Sequence, residues 1–226
     1  MLASDTTRML VLGVCVLFEP ANGYQLRREL LSWNVQSWAN VNPGSIYSML
    51  ATLAKQGLVL RHDLTIGDAV RPIAVYTTTP EGRKELKALV EDGLAVVKAF
   101  DQSAFYAALS LMPVVLGRSR VVARLTLRLK NLETMIAEAR ETIAAVRKTK
   151  ISPPHVARLF GLAEVLPEAE REWVEGLLGD IRAGAMVFRG EPGTESWHPL
   201  PGDPAWRMRA EREQYLGELR RRGALS

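Results

Sequence analysis

Apolar residues recur every three or four positions along most of this chain, which is the spacing of helices with one buried face. The clearest example is the stretch 42–59, which reads NPGSIYSMLATLAKQGLV. Asn42 is a favourable N-cap because its side chain can accept a bond from a first-turn amide, and Pro43 suits the first helical position. Gly57 provides the stop. The apolar stripe of this helix consists of Ile46, Leu50 and Leu53.

The other side of this helix is small, bears hydroxyl groups and is almost free of carboxylates. A solvated helix face is normally richer in Glu and Lys. A helix that must lie close against a phosphate-lined groove has a face of this kind instead. The residues that we predict to contact DNA from this helix are Asn42, Ser45, Tyr47, Ser48, Thr52 and Lys55.

Two helices are predicted before this one. Residues 7–18 read as a buried helix rather than a signal sequence or a membrane span, because the apolar run is short and Asp5 offsets Arg8. Asn22 caps a second helix that extends to about Trp33, with a polar side that points away from the core. That polar side fits either solvated charge or phosphate binding, and its candidate DNA contacts are Gln25, Arg27 and Arg28.

Beyond Gly57 the pattern changes from helical to extended. Residues 58–65 and 70–78 read as two strands of a β-hairpin connected by residues 66–69. Pro72 predicts that the second strand is an edge strand or carries a bulge. A new helix starts at 79–81, and this order of elements predicts a winged helix-turn-helix. Its wing adds two candidate DNA contacts, Arg61 and His62, although an exposed histidine is the simpler interpretation of the latter.

Three motifs in this region resemble the PadR family of transcriptional regulators. They read GYQLRREL at 23–30, NPGSIYSMLATLAKQGLV at 42–59 and YTTTPEGRKEL at 76–86, in the order and spacing of the family. The resemblance covers about residues 8–90 and implies a role for Tyr47 in positioning a phosphate. The wing departs from the family, whose members commonly carry Lys and Arg before the tyrosine, because here the sequence before Tyr76 reads RPIAV.

The remainder of the chain is predicted to be mostly helical, and it resembles the longer, AphA-like branch of the family. Residues 83–100 continue the fourth helix, and Pro113 should kink or end an apolar helix over 105–116. Residues 119–148 form one long helix, whose length without internal caps indicates pairing with another helix. Its ladder of arginines reads as the solvated face of an oligomerising helix or, alternatively, as a second nucleic-acid surface: Arg120, Arg124 and Arg128.

After the break at 153–154, a further helix is predicted over 167–184. Residues 188–204 are rich in Gly and Pro and are expected to form a loop. A last polar helix starts at Asp203 and extends to about Arg222. Its pattern allows either weak docking onto the protein or a mobile tail.

These elements predict a mainly α fold with a small β-hairpin wing. We expect a winged helix-turn-helix DNA-binding domain over 1–90 and a helical dimerisation domain over 91–186. Residues 187–226 add the Gly/Pro-rich loop and the polar helix. The apolar sides of the two long helices are too extended to be covered by the small N-terminal domain, so we expect a homodimer.

The composition restricts the class of protein but does not identify a function. Of the 226 residues, 47% are hydrophobic and 24% are charged, which is ordinary for a soluble globular protein. A net charge of +4 permits nucleic-acid binding without requiring it. The single cysteine, Cys15, excludes an internal disulfide and fits a reducing cytoplasm.

The sequence contains no nucleotide-binding loop, zinc-ligand spacing or nucleophile–base pair. His155 and His198 are isolated among prolines, and Cys15 has no histidine to activate it. We therefore predict a cytoplasmic protein that is not an enzyme, needs no cofactor or metal and does not bind membranes. The expected partners are double-stranded DNA and a second copy of the chain, and the family resemblance adds a small hydrophobic or phenolic effector.

The expected function is that of a PadR-like repressor that binds a palindromic operator as a homodimer. The alternative is a winged helix that makes only protein contacts. An effector would act where the helix after the wing meets the C-terminal helices, and aromatic side chains expected there could line its site. These candidates, which could instead simply pack the domain interface, are Trp33, Trp38, Phe100, Phe105 and Tyr106.

Overall fold

A computed structural model describes residues 3–66, 71–149, 153–193 and 205–224 of the chain. The chain divides into two compact units, one comprising 1–90 with 195–226 and the other comprising 91–194. The helices are Ala3–Phe18 (α1), Gly23–Ser32 (α2), Val35–Ala39 (α3), Pro43–Lys55 (α4), Pro80–Ala95 (α5), Ser103–Val115 (α6), Arg118–Thr149 (α7), Pro154–Arg182 (α8) and Ala205–Arg221 (α9). The strands are Ala21–Asn22 (β1), Val59–Leu64 (β2) and Ile73–Thr78 (β3).

The first unit is a winged helix whose core is built from the predicted apolar stripes. Helix α1 contacts α2, α4 and β3, which explains why it is apolar on most of its circumference. Helix α4 buries the three residues of its predicted stripe completely. Gly57 has a positive φ of 72° and ends α4 as expected. None of the described helices is long and apolar enough to cross a membrane.

The sheet differs from the predicted hairpin. Its strand order is β1-β3-β2 and all pairs are antiparallel, so β3 is the central strand and its assignment as an edge strand was wrong. Pro72 lies immediately before Ile73, where it removes no hydrogen bond from the ladder. Strand β1, which the sequence pattern did not predict, pairs Ala21 with Tyr76. Of the predicted 66–69 connection, residues 67–69 lie outside the described residues.

The junction between α4, β2 and α5 is held by one hydroxyl group. Thr79 Oγ1 lies 2.8 Å from the Gly57 carbonyl oxygen and 3.0 Å from that of Leu58, and it accepts a bond from the Gly82 amide at 3.0 Å. A Cβ atom at Gly82 would lie 2.0 Å from the Leu58 carbonyl oxygen. The start of α5 is therefore fixed against the turn that follows α4.

Helix α9 is docked on the first unit, which decides between the two interpretations of the C-terminal segment. Tyr215 and Leu219 are buried in a cluster with Leu64 and Val75 of the sheet. The proposed start of this helix at Asp203 lies outside the described residues.

In the second unit, α7 pairs along its length with α8. The long helix α7 has nearly the predicted bounds, but α8 begins at Pro154 and not at 167. Pro167 lies inside α8 and cannot donate to the carbonyl of Ala163, so packing against α7 outweighs the loss of one helical bond. Helix α6 ends at Val115, two residues after Pro113, as expected.

The arginine ladder of α7 is not a solvated face, and that prediction was wrong. Arg120 and Arg124 both bind the carboxylate of Glu91 near the end of α5, at 2.7 and 2.5 Å. Burial would raise the pKa of Glu91, but the bonds and charges of the two guanidinium groups outweigh it and lower this pKa. The ladder therefore attaches α7 to the end of α5.

Arg128, the third member of the ladder, is completely buried. Its Nε donates to Glu170 Oε1 of α8 at 2.5 Å, and its Nη1 donates to the Val96 carbonyl oxygen at 2.5 Å. Its Nη2 lies 3.2 Å from Gln102 Oε1, and the guanidinium carbon lies 3.6 Å from the centroid of the Phe105 ring. Burial lowers the pKa of Arg128, and the Glu170 carboxylate opposes that shift.

Replacement of Arg128 by Met should lower the free energy of unfolding by about 3–5 kcal/mol, because it leaves the nearly buried Glu170 carboxylate without its partner. The matched control is Arg140→Met, which removes a guanidinium that is 59% exposed and bound to Glu164, and it should cost at most about 1 kcal/mol. Urea unfolding followed by circular dichroism measures both. Equal losses would contradict the role of Arg128.

Candidate DNA interface

The exposed face of α4 begins at Asn42, which occupies the N-cap position with extended backbone angles. Its side chain makes no capping hydrogen bond, so the predicted bond was wrong. The Asn42 carbonyl oxygen instead accepts bonds from the amide and the hydroxyl of Ser45, at 3.0 and 2.7 Å. The exposed amide side chain of Asn42 thus makes no bond to the first turn and lies at the start of the predicted interface.

Tyr47 projects from the middle of this face and is 44% exposed. Its ring rests on the start of α2, because a Cβ atom at Gly23 would lie only 3.0 Å from Tyr47 Cε1. Glycine at position 23 therefore lets α2 approach the ring closely. Tyr24, which is 60% exposed, follows directly. One side of the Tyr47 ring is supported by protein while part of it remains accessible.

The hydroxyl groups on this face are bonded to their own helix. Ser48 Oγ donates to the Gly44 carbonyl oxygen at 3.0 Å, and Thr52 Oγ1 donates to that of Ser48 at 2.9 Å. Either hydroxyl must rotate to donate to a phosphate, and exchanging one such bond for another changes the free energy by only about 1 kcal/mol. Lys55 is exposed in the last turn and supplies the positive charge.

Gln25 of α2 does not belong to the interface, although its position on the polar side of the helix predicted that it would. It is 3% exposed and completes a capping box with Asn22, with bonds of 2.8 and 2.9 Å. Its Nε2 donates to Glu211 Oε2 of α9 at 2.6 Å. A buried side chain with its amide already bonded is not available to DNA.

Arg27 lies one helical turn after Gly23 and thus on the side of α2 that faces Tyr47. Its Nε atom is buried and has no hydrogen-bond partner in the described part of the chain. A buried donor without a partner costs about 1–3 kcal/mol, so its retention calls for an explanation. If the Arg27 side chain swings outward when DNA binds, a phosphate oxygen beside Tyr47 would provide that partner. Arg28 is half-buried and has an interaction partner.

The two wing residues of the predicted interface lie on opposite faces of the sheet. Arg61 is exposed, and its Nε and Nη2 donate to Asp63 Oδ1 at 3.0 and 2.9 Å. His62 lies on the other face, where its Nε2 is 2.8 Å from Thr77 Oγ1. The pKa of His62 is lowered by burial and further by the charge of Arg222 in α9's C-terminal extension. His62 is half-buried with its ring bonded to Thr77, which makes it a poorer candidate for the interface than Arg61.

The aromatic residues predicted to bind an effector are divided between the two units. Phe100, Phe105 and Tyr106 line a cleft of about 670 Å³ in the second unit. Trp33 and Trp38 belong to the first unit, where their indole N–H groups donate to Glu29 and to the Trp33 carbonyl oxygen. Those bonds hold the connection between α2 and α3.

Trp173 of α8 was missed as a cleft residue. Its ring meets that of Phe105 edge to face, with centroids 6.1 Å apart. Leu166, Glu170 and Trp173 all line the cleft, and their spacing of four and three residues places them on one side of a helix. This spacing can be read from the sequence, but the sequence does not show which side chains of other helices this side of α8 contacts.

The thiol of Cys15 is buried and not available for chemistry. Burial raises the pKa of the Cys15 thiol to about 12, so the thiol stays protonated and unreactive. Within the described ranges, no group of three or more His, Cys, Asp or Glu residues is placed to hold a metal ion.

Residues 11–88 match the family model described as "Transcriptional regulator PadR-like family". This segment contains the second half of α1, the helix-turn-helix, the wing and the first half of α5. A comparison with curated proteins finds no match.

Three solved structures are similar to the chain over most of its length. They are smu.1604c from Streptococcus mutans UA159 (19% identity over 76% of this chain and 98% of that one, TM-score 0.34), Bacillus subtilis PadR in complex with operator DNA (20% identity over 77% and 98%, TM-score 0.30) and Bacillus subtilis PadR in complex with p-coumaric acid (18% identity over 78% and 99%, TM-score 0.26). The TM-scores are low, so the winged-helix assignment rests on the chain's own sheet and helices.

Replacement of Arg27 by Met should raise stability and weaken DNA binding at the same time. Met keeps the apolar stem and removes the buried donor, which should add about 1 kcal/mol to the free energy of unfolding. The loss of one phosphate contact should lower the slope of log affinity against log salt by about 1. Arg28→Met is the control, since Arg28 has a partner and its loss should not stabilise the protein. A destabilised Arg27→Met variant that still binds DNA normally would contradict this interpretation.

Proposed function

We propose that this chain, which contains a PadR-like domain over residues 11–88, is a transcriptional repressor that binds a palindromic DNA operator as a homodimer. The observation that carries the proposal is the exposed face of α4, which bears Tyr47 and Lys55. In the neighbouring helix α2, the Nε of Arg27 is buried and has no hydrogen-bond partner among the described residues. Residues 30–62 contain no Asp or Glu, so a phosphate backbone meets no fixed negative charge along this stretch.

The chemistry of this face favours contact with the DNA backbone over reading of individual bases. The side chains that read bases most specifically are Arg, Asn and Gln. On α4 the exposed candidates of this type are Asn42 at its start and Gln56 just after its end. Ser48 and Thr52 can bind phosphate or base edges. Specificity should therefore depend in good part on the shape of the DNA.

Replacement of Tyr47 by Ala should weaken DNA binding about tenfold, equivalent to about 1.4 kcal/mol, without unfolding the protein. Tyr106→Ala is a matched control because Tyr106 is 46% exposed and lies in the second unit. Fluorescence anisotropy with labelled DNA from upstream of the coding sequence measures both at one fixed salt concentration. An unchanged affinity for Tyr47→Ala would remove Tyr47 from the interface, and absence of DNA binding by the parent protein would favour a module for protein contacts.

The homodimer is supported by an apolar stripe on α8. Its side chains are exposed in the single chain and recur at the heptad spacing typical of helix pairing: Leu159 (59%), Leu162 (45%), Leu166 (42%) and Trp173 (53%). An exposed stripe of this size indicates an interaction surface. A two-fold dimer would present two winged helices to half-sites about 34 Å apart.

Replacement of Leu162 by Asp should shift the protein from dimer to monomer, because a carboxylate on the stripe would have to be buried without a partner. Light scattering should give twice the chain mass of 25.0 kDa for the parent protein and the single mass for the variant. Leu60→Asp is the control, since Leu60 is 50% exposed on the wing. A monomeric parent protein at micromolar concentration would refute the dimer.

The cleft of the second unit is the candidate site for a small effector. Its volume of about 670 Å³ lies in the range of small-molecule sites. Its aromatic walls suit a flat hydrophobic or phenolic ring, and its polar lining includes Glu170 and Gln102. Both of these side chains also bind Arg128, which in turn binds the Val96 carbonyl oxygen next to the end of α5. An effector here would therefore touch the groups that hold that end of α5.

A further inference from the structure

Helix α9, which lies outside the segment that matches the family model, is an integral part of the winged-helix unit. The Tyr215 ring is 3% exposed and Leu219 is completely buried. Both pack on Leu64 and Val75 in the sheet. The Tyr215 hydroxyl also accepts a hydrogen bond of 3.0 Å from Asn22 Nδ2. A mobile tail would not bury these groups.

Polar bonds fix the middle and the C-terminal end of the helix on opposite edges of the sheet. At its middle, Arg212 Nε donates to the Glu19 carbonyl oxygen, just before β1, at 2.8 Å. Immediately after its end, Arg222 Nη1 donates to the Asp63 carbonyl oxygen of β2 at 2.9 Å. Helix α9 therefore crosses from β1 over β3 to β2, and its last turn reaches the wing.

With α9 docked on the sheet, the predicted DNA-binding face of α4 remains exposed. It covers the face of the sheet that carries His62, Leu64 and Val75. Side chains alternate along a strand, so Arg61 and Tyr76 belong to the opposite face. Tyr76 interacts electrostatically with Cys15 and Tyr47, which places the helices on that side. The α4 face is exposed with α9 in place, so the two surfaces can be used together.

The end of α9 carries more positive charge than the strands beside it. Arg220 is exposed, and the side chains of Arg221 and Arg222 are 77% and 43% exposed. Glu218 binds both Arg221 and Arg222, each at 2.8 Å, and neutralises one of the three charges. Strand β3 has no Lys or Arg, and Arg61 of β2 is bound to Asp63. Arg71, two residues before β3, is exposed, so the charge available to DNA beside these strands comes from Arg71 and from α9.

Cations at the end of a helix are also favoured by the helix dipole. That effect explains a basic last turn on any exposed helix. It does not explain why the basic turn is anchored to β2 by a backbone bond and by a buried apolar cluster. We propose that Arg220, Arg221 and Arg222 form an additional DNA-binding surface, which contacts phosphate groups next to the wing. The proposal rests on DNA binding by the winged helix as proposed above.

The test is the salt dependence of DNA binding by the full-length chain. The variant R220Q/R221Q/R222Q removes three charges and keeps the apolar cluster. The control R147Q/K148Q/R182Q removes three exposed charges from the second unit, so the change in net charge is the same. The probe is a fluorescein-labelled duplex of unrelated sequence, about 30 base pairs long, which can span two half-sites. Circular dichroism and urea unfolding verify that both proteins are folded.

Each phosphate contact contributes about 0.9 to the slope of log affinity against log salt. The R220Q/R221Q/R222Q variant should therefore lose about 2–3 in slope per protomer, and the control should lose less than about 1. Because phosphate contacts are independent of sequence, the same loss should appear with a duplex from upstream of the coding sequence. An unchanged slope for the R220Q/R221Q/R222Q variant, or an equal loss of slope in the control, would overturn the proposal.

A second variant changes binding in the opposite direction. Glu218→Gln removes the carboxylate that binds Arg221 and Arg222 and should tighten binding to the same duplex several-fold. Glu175→Gln is the control, since Glu175 binds exposed Arg171 on α8, and it should not tighten binding. Weaker or unchanged binding by Glu218→Gln would count against the surface. If Tyr47→Ala weakens binding but these variants do not change it, this inference fails and the DNA-binding function stands. If the parent protein binds neither duplex, the proposed function itself fails.

Discussion

The second unit depends on one buried charge. Arg128 leaves water completely, and the cost of its desolvation is offset because each of its three nitrogens has a hydrogen-bond partner and its plane contacts a ring. The groups that it binds come from α8, from α6 and from the segment between α5 and α6. A lysine could not make these contacts, since it lacks the planar fork of donors. Helix pairing, the end of α5 and the wall of the cleft are therefore parts of one network.

Local signals were sufficient where a helix is marked by its own residues. The periodicity of α4, its proline at the first helical position and Gly57 at its end predicted both its bounds and its buried side. They did not predict the behaviour of Asn42, whose side chain makes no capping bond. Pro167 led to a wrong prediction for the start of α8, because a proline that is typical of a helix start lies inside this helix. Packing against α7 outweighs one lost bond, and no local pattern reports that packing.

The candidate interface was predictable to the extent that exposure follows from helical spacing. Tyr47 and Lys55 are exposed where a helical wheel places them. Gln25 was misplaced because its partner, Glu211, lies far along the chain. His62 was misplaced for the same reason, since α9 covers its face of the sheet. The apolar residues of β3 stand where the family commonly has Lys and Arg, and α9 packs against them. Contacts between distant segments decided all of these cases.

The closeness of Gly82 to Leu58 has a consequence for how this region tolerates variation. At many turns a glycine is needed for its left-handed backbone angles, which cost alanine about 1–2 kcal/mol. Here the obstacle is occupied space, because an added methyl group would lie 2.0 Å from a carbonyl oxygen. Every substitution at this position adds at least that carbon, so alanine is as inadmissible as tryptophan. Among variants at position 82, only the one with glycine should therefore fold stably, whatever the polarity of the substituted residue.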